Sequence, residues 1–260
     1  MSDTTTETIF QEERLDKILA LLDENKRLLT NVLADQLNTT SATIRKDLTI
    51  LEEKGLLKRT HGGAVKAKSL YSGLALSEKE KIGLDEKRKL VKEAAKLIFE
   101  GDTIILDSGS TTSLLAKEIK FLKGVTVITN AMNIASDLVH TDIEVILIGG
   151  SLLKETLTLV GPLADGMLKK ISSGKLFMGV DGIDFEVGLT TPNILEANTS
   201  RVMMGISGEV ILLTDSSKFG RRSLGVICQI GEIDKMITTK HLSEYELNQC
   251  KESSVEVIIV

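Results

Sequence analysis

The sequence predicts an α/β protein in two parts, an N-terminal winged helix-turn-helix joined to a doubly wound, mostly parallel α/β domain. Three observations predict it. Three short apolar-periodic segments and a basic hairpin with a Gly62-Gly63 turn fill residues 12–67. A stretch without period, rich in Lys, Ser, Glu and Gly, follows over 68–85. From residue 86 to the end at 260, short apolar runs alternate with helical segments. Near-continuous apolar strands are those buried on both faces, as in a parallel sheet covered by helices.

Leu15, Ile18, Leu19 and Leu22 recur at helical spacing over 13–23. Val32, Leu33 and Leu37 make the apolar face of a second helix over 30–37, with Thr30 as its expected N-cap. After the polar break Asn38-Thr39-Thr40, Ser41 reads as the N-cap of a third helix. Ile44, Leu48 and Leu51 form its buried face, and Gly55 ends it as C′. Residues 57–60 form a strand, His61-Gly62-Gly63 a tight turn, and Ala64-Val65 the return. A helix over 86–99 opens the second domain and Gly101-Asp102 ends it. Strands are expected at 103–106, 125–129, 144–148, 176–180, 210–214, 236–238 and 255–260, with helices at 113–119, 131–138 and 162–171.

Composition narrows the class. Hydrophobic residues make up 42% and charged residues 27%, which suits packed cores rather than disorder. No apolar run nears the roughly 20 residues that span a bilayer. The polar, acidic start lacks the basic and apolar regions of a secretory signal. A cytoplasmic location and no membrane partner are expected. Cys228, Cys250, His61, His140 and His241 fall at no metal-ligand spacing, so no metal or cofactor is expected, and the cysteines read as reduced thiols in or near a core.

The net charge of −5 conceals a local excess: residues 41–68 carry seven Lys/Arg against three Asp/Glu, a charge of +4. Such a patch attracts phosphates. An α-helix fits the major groove of B-DNA, where outward side chains reach base edges. Thr43, Arg45, Lys46 and Thr49 are that outward set, and Ser41 at the helix start suits a backbone phosphate. Arg59, Thr60 and His61 on the wing suit an adjacent phosphate or the minor groove. Pattern alone leaves a second reading open, a helical dimerisation subdomain with a solvated charged face. The strings Ser41-x-Thr43-Ile44-Arg45-Lys46-Asp47-Leu48 and Arg59-Thr60-His61-Gly62-Gly63-Ala64 closely resemble the helix-turn-helix of the DeoR family of bacterial regulators. That resemblance implies a double-stranded DNA operator as partner. Lys46 stands where many members have Arg, which keeps the charge and loses a bidentate donor.

In the second domain, Leu106-Asp107-Ser108-Gly109-Ser110-Thr111-Thr112 follows a strand and opens a helix. Exposed backbone N–H groups, hydroxyls and a helix N-terminus suit a phosphate or other anion. The string is neither the dinucleotide fingerprint nor a P-loop. The bland alternative is a polar turn that caps its helix. Further polar loops fall after later strands: Asn130, Gly149-Gly150, Asp181-Gly182-Ile183-Asp184 and Asp215-Ser216-Ser217-Lys218. In an open α/β sheet such strand ends line the ligand crevice. Lys218 suits a phosphate, although a lone lysine is more often solvated. Asp181 and Asp184 suit sugar hydroxyls. Thr191, Asn193, Glu196 and Arg201 are further contributors to hydroxyl specificity.

The stretch from 86 to about 239 resembles the DeoR-family sensor domain, similar in fold to ribose-5-phosphate isomerase; the Asp181–Asp184 and Asp215-x-Ser217-Lys218 strings resemble isomerase motifs. Within the family the chain is most similar to regulators of galactitol and N-acetylgalactosamine use. The resemblance implies a phosphorylated sugar as inducer, bound by loop 108–112 and Lys218. It also implies repression relieved by that ligand, and a homo-oligomer. Ser110 stands where many members have Thr. The alternative function is a sugar-phosphate isomerase with an accessory domain, using Asp181, Asp184 and Glu196 as carboxylates. The isomerase's Lys-Gly-Gly-Gly loop is absent, Gly188-Leu-Thr-Thr-Pro192-Asn-Ile-Leu-Glu196 standing there instead, so no catalytic residue is assigned.

Overall fold

The computed structural model describes residues 11–25, 27–53, 57–60, 62–66 and 75–260. The chain folds as two compact units, Met1–Leu70 and Tyr71–Val260.

The first unit contains α1 (Gln11–Asn25), β1 (Arg27–Leu29), α2 (Thr30–Gln36), α3 (Ser41–Glu53), β2 (Leu57–Thr60) and β3 (Gly63–Lys66). The periodic residues form its core: Leu15, Ile18 and Leu22 of α1 meet Leu33 of α2 and Ile44, Leu48 and Leu51 of α3, all buried. A strand escaped the sequence pattern. β1 pairs antiparallel with β3 and completes a three-stranded sheet in the order β1-β3-β2. Gly63 makes that pairing possible, since a Cβ there would lie 2.0 Å from the Leu28 carbonyl oxygen. Two caps differ from expectation. Leu29 precedes α2 and Thr30 is buried as its first residue. Thr40 rather than Ser41 caps α3, its Oγ1 accepting the Thr43 N–H at 3.1 Å. Gly55 and His61 lie outside the described residues.

The second unit contains α4 (Leu76–Lys79), α5 (Leu84–Ala95), β4 (Thr103–Leu106), α6 (Ser110–Ile119), β5 (Thr126–Thr129), α7 (Met132–Leu138), β6 (Glu144–Leu147), β7 (Ser151–Leu153), β8 (Thr158–Val160) and α8 (Pro162–Leu168). It continues with β9 (Ser173–Met178), β10 (Gly182–Asp184), β11 (Gly188–Thr191), α9 (Ile194–Gly205), β12 (Ser207–Thr214), β13 (Gly225–Cys228), β14 (Lys235–Thr238), α10 (Glu244–Glu252) and β15 (Glu256–Ile259). Seven strands form one all-parallel sheet in the order β15-β14-β12-β9-β4-β5-β6. Alternate side chains serve opposite cores. Ile104 and Leu106 join the face covered by α5, α6 and α7, while Ile105 joins the face covered by α8 and α9. That two-sided burial produced the continuous apolar runs.

The strand order reverses between β4 and β9: β5 and β6 build outward on one side, and β12, β14 and β15 on the other. A ligand crevice forms at the carboxyl ends of the strands at such a switch point. Two antiparallel additions, the β7–β8 hairpin and the sheet β10-β11-β13, are made of strands of three or four residues too short for a periodic signal. Two boundaries also moved. Residues 75–85, read from sequence as linker, belong to this unit and include α4 and the start of α5. Helix α6 starts at Ser110, so Ser110, Thr111 and Thr112 form its first turn rather than a loop.

Candidate functional site

The first candidate surface is α3 with its hairpin. Asp47 points inward and is buried, accepting from Arg14 Nε at 2.6 Å and Nη2 at 3.1 Å. One of the three acids of the basic stretch is thus neutralised within the fold. Arg45 and Lys46 are exposed, and their side chains make no ion pair or hydrogen bond among the described residues. The Thr43 and Thr40 hydroxyls bond each other at 2.9 Å. Thr49 Oγ1 donates to the Arg45 carbonyl at 2.9 Å and accepts from Arg59 Nη1 at 2.8 Å. The Arg59 N–H donates to Glu52 Oε1 at 2.8 Å. Helix and wing are therefore fastened at two points. Ser41 is half-buried in the first turn, and the Thr60 hydroxyl is buried without a partner among the described residues. His61 lies outside the described residues.

The second candidate surface is a cleft at the switch point. Its lining comes from the ends of three neighbouring strands: Asp107 to Thr111 after β4, Gly179 to Asp181 after β9, and Asp215 and Lys218 after β12. Asp107 is buried at its foot. Its carboxylate accepts from Ser200 Oγ at 2.7 Å and from the Ser108 N–H at 2.7 Å. Burial pushes the Asp107 carboxyl up to about 6, against the opposing hydrogen bonds from Ser200 and Ser108. Asp107 thus acts mainly as a post that orients the loop. Ser110 and Thr111 line the cleft, and their hydroxyls make no hydrogen bond among the described residues. Thr112 does not line it, its hydroxyl donating to the Gly109 carbonyl at 3.0 Å.

Across the cleft, Lys79 Nζ lies 2.7 Å from both carboxylate oxygens of Asp181, and Lys218 Nζ approaches Oδ1 at 3.8 Å. Glu196 accepts from Thr156 Oγ1 at 2.7 Å, and its carboxyl is raised chiefly by burial. The Thr191 hydroxyl sits between Asp181, at 3.4 Å, and Glu196, at 3.5 Å, with one hydrogen to share between them. Hydroxyls and a helix N-terminus on one side, with carboxylates and ammonium groups on the other, suit a ligand that is anionic at one end and hydroxylated along its length.

Besides Thr112, four expected residues do not line the cleft. Asn130 is buried and donates through Nδ2 to the Leu159 carbonyl at 3.2 Å. Its own carbonyl accepts the Leu159 N–H at 2.8 Å, so the β7–β8 hairpin covers the end of β5. Gly149 donates its N–H to Met167 Sδ at 3.4 Å. At Gly150 a Cβ would meet the Val160 carbonyl oxygen at 2.8 Å, so this glycine serves the hairpin's close approach. Asp184 caps a turn, accepting the N–H groups of Glu186 and Val187 at 2.9 Å and Arg222 Nε at 2.6 Å. Of the further contributors, Thr191 and Glu196 line the cleft. Asn193 caps α9, and Arg201 donates to the carbonyls of Ile227 and Val226. Lys79, Thr156 and Ser200 were not foreseen. Lys79 follows Leu74-Ala75-Leu76 in a stretch with no helical period, which gave no signal for it.

The DeoR-like helix-turn-helix domain matches residues 14–69, and the DeoR C terminal sensor domain matches residues 83–240. The chain belongs to the DeoR family. Its DeoR-family relatives match along nearly their whole length. The HTH-type transcriptional regulator GlpR of Haloferax volcanii is 35% identical over 246 residues, covering 95% of this chain and 96% of that one. A putative aga operon transcriptional repressor of Escherichia coli O157:H7 is 34% identical over 251 residues, covering 95% and 93%. A lactose phosphotransferase system repressor of Staphylococcus epidermidis is 34% identical over 250 residues, covering 95% and 98%. The expected aga-type relative is therefore present alongside others. Among solved structures, a D-ribose-5-phosphate isomerase in complex with phospho-erythronic acid aligns weakly, with a TM-score of 0.40 and 17% identity over 52% of this chain and 54% of that one. As a DeoR-family member the chain is a DNA-binding transcription regulator and not an enzyme. Among the described residues no helix is long and apolar enough to cross a membrane.

Proposed function

We propose that this regulator represses carbohydrate catabolism genes and leaves its operator when a phosphorylated sugar binds the cleft. The observation that carries the reading is the pair of cleft-lining hydroxyls, Ser110 and Thr111, in the first turn of the ten-residue α6. A helix N-terminus with hydroxyl and backbone donors holds a phosphate. Asp181, Thr191 and Glu196 then accept or share the sugar hydroxyls, and Lys218 supplies a cation. Relatives named as repressors of the aga operon and of a lactose phosphotransferase system support the sugar-linked role.

On the DNA side, α3 enters the major groove with Thr43 and Arg45 toward the bases and Lys46 toward a backbone phosphate. Ser41, Thr49, Arg59 and His61 hold the flanking backbone, while the buried Thr60 hydroxyl does not reach it. A homo-oligomer acting in the cytoplasm completes the reading. It is supported by the apolar edge strand β6, where Ile146 and Leu147 are exposed, together with Leu163 of α8.

The test is fluorescence anisotropy with duplex DNA from upstream of the chain's own gene. Affinity is expected to fall steeply as salt rises. One of a panel of sugar phosphates should release the DNA, while the parent sugar should not. Salt-independent binding, or release by none of the panel, would overturn the reading.

A further inference from the structure

We infer that Lys79 is a positioning residue of the cleft: its ammonium group balances two neighbouring carboxylates, Asp181 and Glu196, so that both accept hydroxyl groups of the same ligand. This role rests on the cleft being the effector site. It falls to a residue that the sensor-domain match, beginning at residue 83, does not include.

Four carboxylates line the cleft: Asp107, Asp181, Glu196 and Asp215. Two are taken by their own surroundings. Asp107 accepts from Ser200 Oγ and the Ser108 N–H, and Asp215 accepts the Ser217 N–H at 2.9 Å. Asp181 and Glu196 stand on either side of the Thr191 hydroxyl, at 3.4 and 3.5 Å. Both distances are long against the usual O–H···O separation of about 2.7–2.8 Å. Thr191 has one hydrogen and satisfies neither carboxylate well. A ligand with two neighbouring hydroxyls supplies a donor to each.

Two carboxylates within reach of one hydroxyl repel each other. The effect shows at Glu196. Burial above all raises its carboxyl and the neighbouring Asp181 adds to this, while the Thr156 hydrogen bond and the Lys79 charge oppose it. Lys79 is therefore the cation that offsets the pair. Its Nζ meets both Asp181 oxygens at 2.7 Å, and the two side chains are only 15% and 18% exposed. Attraction between charges strengthens as water is excluded. Lys218, at 3.8 Å from Asp181, stands beyond hydrogen-bond distance and keeps its donors for the anionic end of the ligand.

The backbone under Lys79 is fixed within the same unit. At four residues, α4 is far below the length at which a helix is stable alone, so contacts outside it hold it in place. Leu76 is buried, and its N–H donates to the Glu155 carbonyl at 2.9 Å. The buried Lys87 ammonium donates to the Lys79 carbonyl at 2.6 Å and to the Ile82 carbonyl at 2.7 Å. Lys79 thus meets Asp181 from a settled position, and little ordering is left for the ligand to impose.

The experiment measures, by calorimetry on the full-length protein, the affinity for galactose 6-phosphate, glucose 6-phosphate and glycerol 3-phosphate. Inorganic phosphate, which has the anion without the hydroxylated chain, is read by competition against the tightest of the three. In Lys79→Met the preference for that ligand over inorganic phosphate should fall roughly tenfold or more, the worth of a charge-assisted hydrogen bond, whatever loss the two share. Lys79→Arg keeps the charge and should keep most of the preference. Lys79→Gln still donates to Asp181 without the charge, and it gives the same reading as Lys79→Met if the methionine variant does not fold. An unchanged preference in the neutral variants, an equal loss for both ligands, or an arginine variant as impaired as the neutral ones overturns the inference alone. A wild type that binds none of the three more tightly than inorganic phosphate overturns the effector reading and this inference with it.

Discussion

The Arg59 guanidinium on β2 donates to the Thr49 hydroxyl on α3 at 2.8 Å, so helix and hairpin are held in one register by their own side chains. Thr49→Val keeps the shape and removes the acceptor. Operator affinity is expected to fall by about 1 kcal/mol, the net worth of such a bond. The melting temperature should barely change, because both groups face outward. Anisotropy and thermal melting check this. An unchanged affinity would show that the wing needs no such tether.

Arg45 and Lys46 are neighbours with different expected roles. Arg45→Ala should cost about 1–3 kcal/mol and relax discrimination at one or two base pairs. Lys46→Ala should weaken all sequences alike and reduce the salt slope by about one. Titrations against a set of singly substituted operators separate the two. Identical profiles for both variants would assign both residues to the phosphates.

Lys218 is expected to belong to the ligand and not to the fold. Lys218→Ala should weaken sugar-phosphate binding by roughly tenfold, in the range of a charge-assisted hydrogen bond. Operator affinity without ligand should be unaffected. Unchanged ligand affinity in calorimetry removes Lys218 from the site.

Asp107 links pH to stability. Its carboxyl, raised to about 6 by burial, binds a proton more tightly in the folded than in the unfolded chain, where it titrates near 3.8. Between these values the folded state holds more protons, so its stability falls as pH rises from about 4 to 6. The upper bound is on the order of 3 kcal/mol. Asp107→Asn should flatten this part of the curve in thermal melts recorded from pH 4 to 8. Parallel curves for the two proteins would place the cause elsewhere, Glu196 being the other raised carboxyl among the described residues.

Much of this was legible in the sequence because burial on both faces leaves a plain mark. Ile104, Ile105 and Leu106 read as a strand between two cores, and Ile44, Leu48 and Leu51 as one face of a helix, and the structure buries them so. The small-residue string after β4 likewise announced Ser110 and Thr111. The failures have a common physical origin. Position at a strand end says which edge of the sheet a residue occupies, not what lies over it. Asn130, Gly149 and Gly150 stand at such ends, and the β7–β8 hairpin takes them. Asp184 looked like a free carboxylate and is consumed by its own turn and Arg222. Lys79 was hidden for the opposite reason: a four-residue helix has no period, and its value comes from Asp181, 102 residues away in the chain.

Lys79 also lies four residues ahead of the point at which similarity to the sensor domain begins. A fragment trimmed to that similarity would discard Leu76 and Lys79 and leave Asp181 with the Thr191 hydroxyl and the more distant Lys218. Ligand affinities measured on such a trimmed piece would describe a different electrostatic environment from that of the whole regulator. Any search for a ligand of the cleft is therefore best begun with protein that retains the residues between the wing and α5.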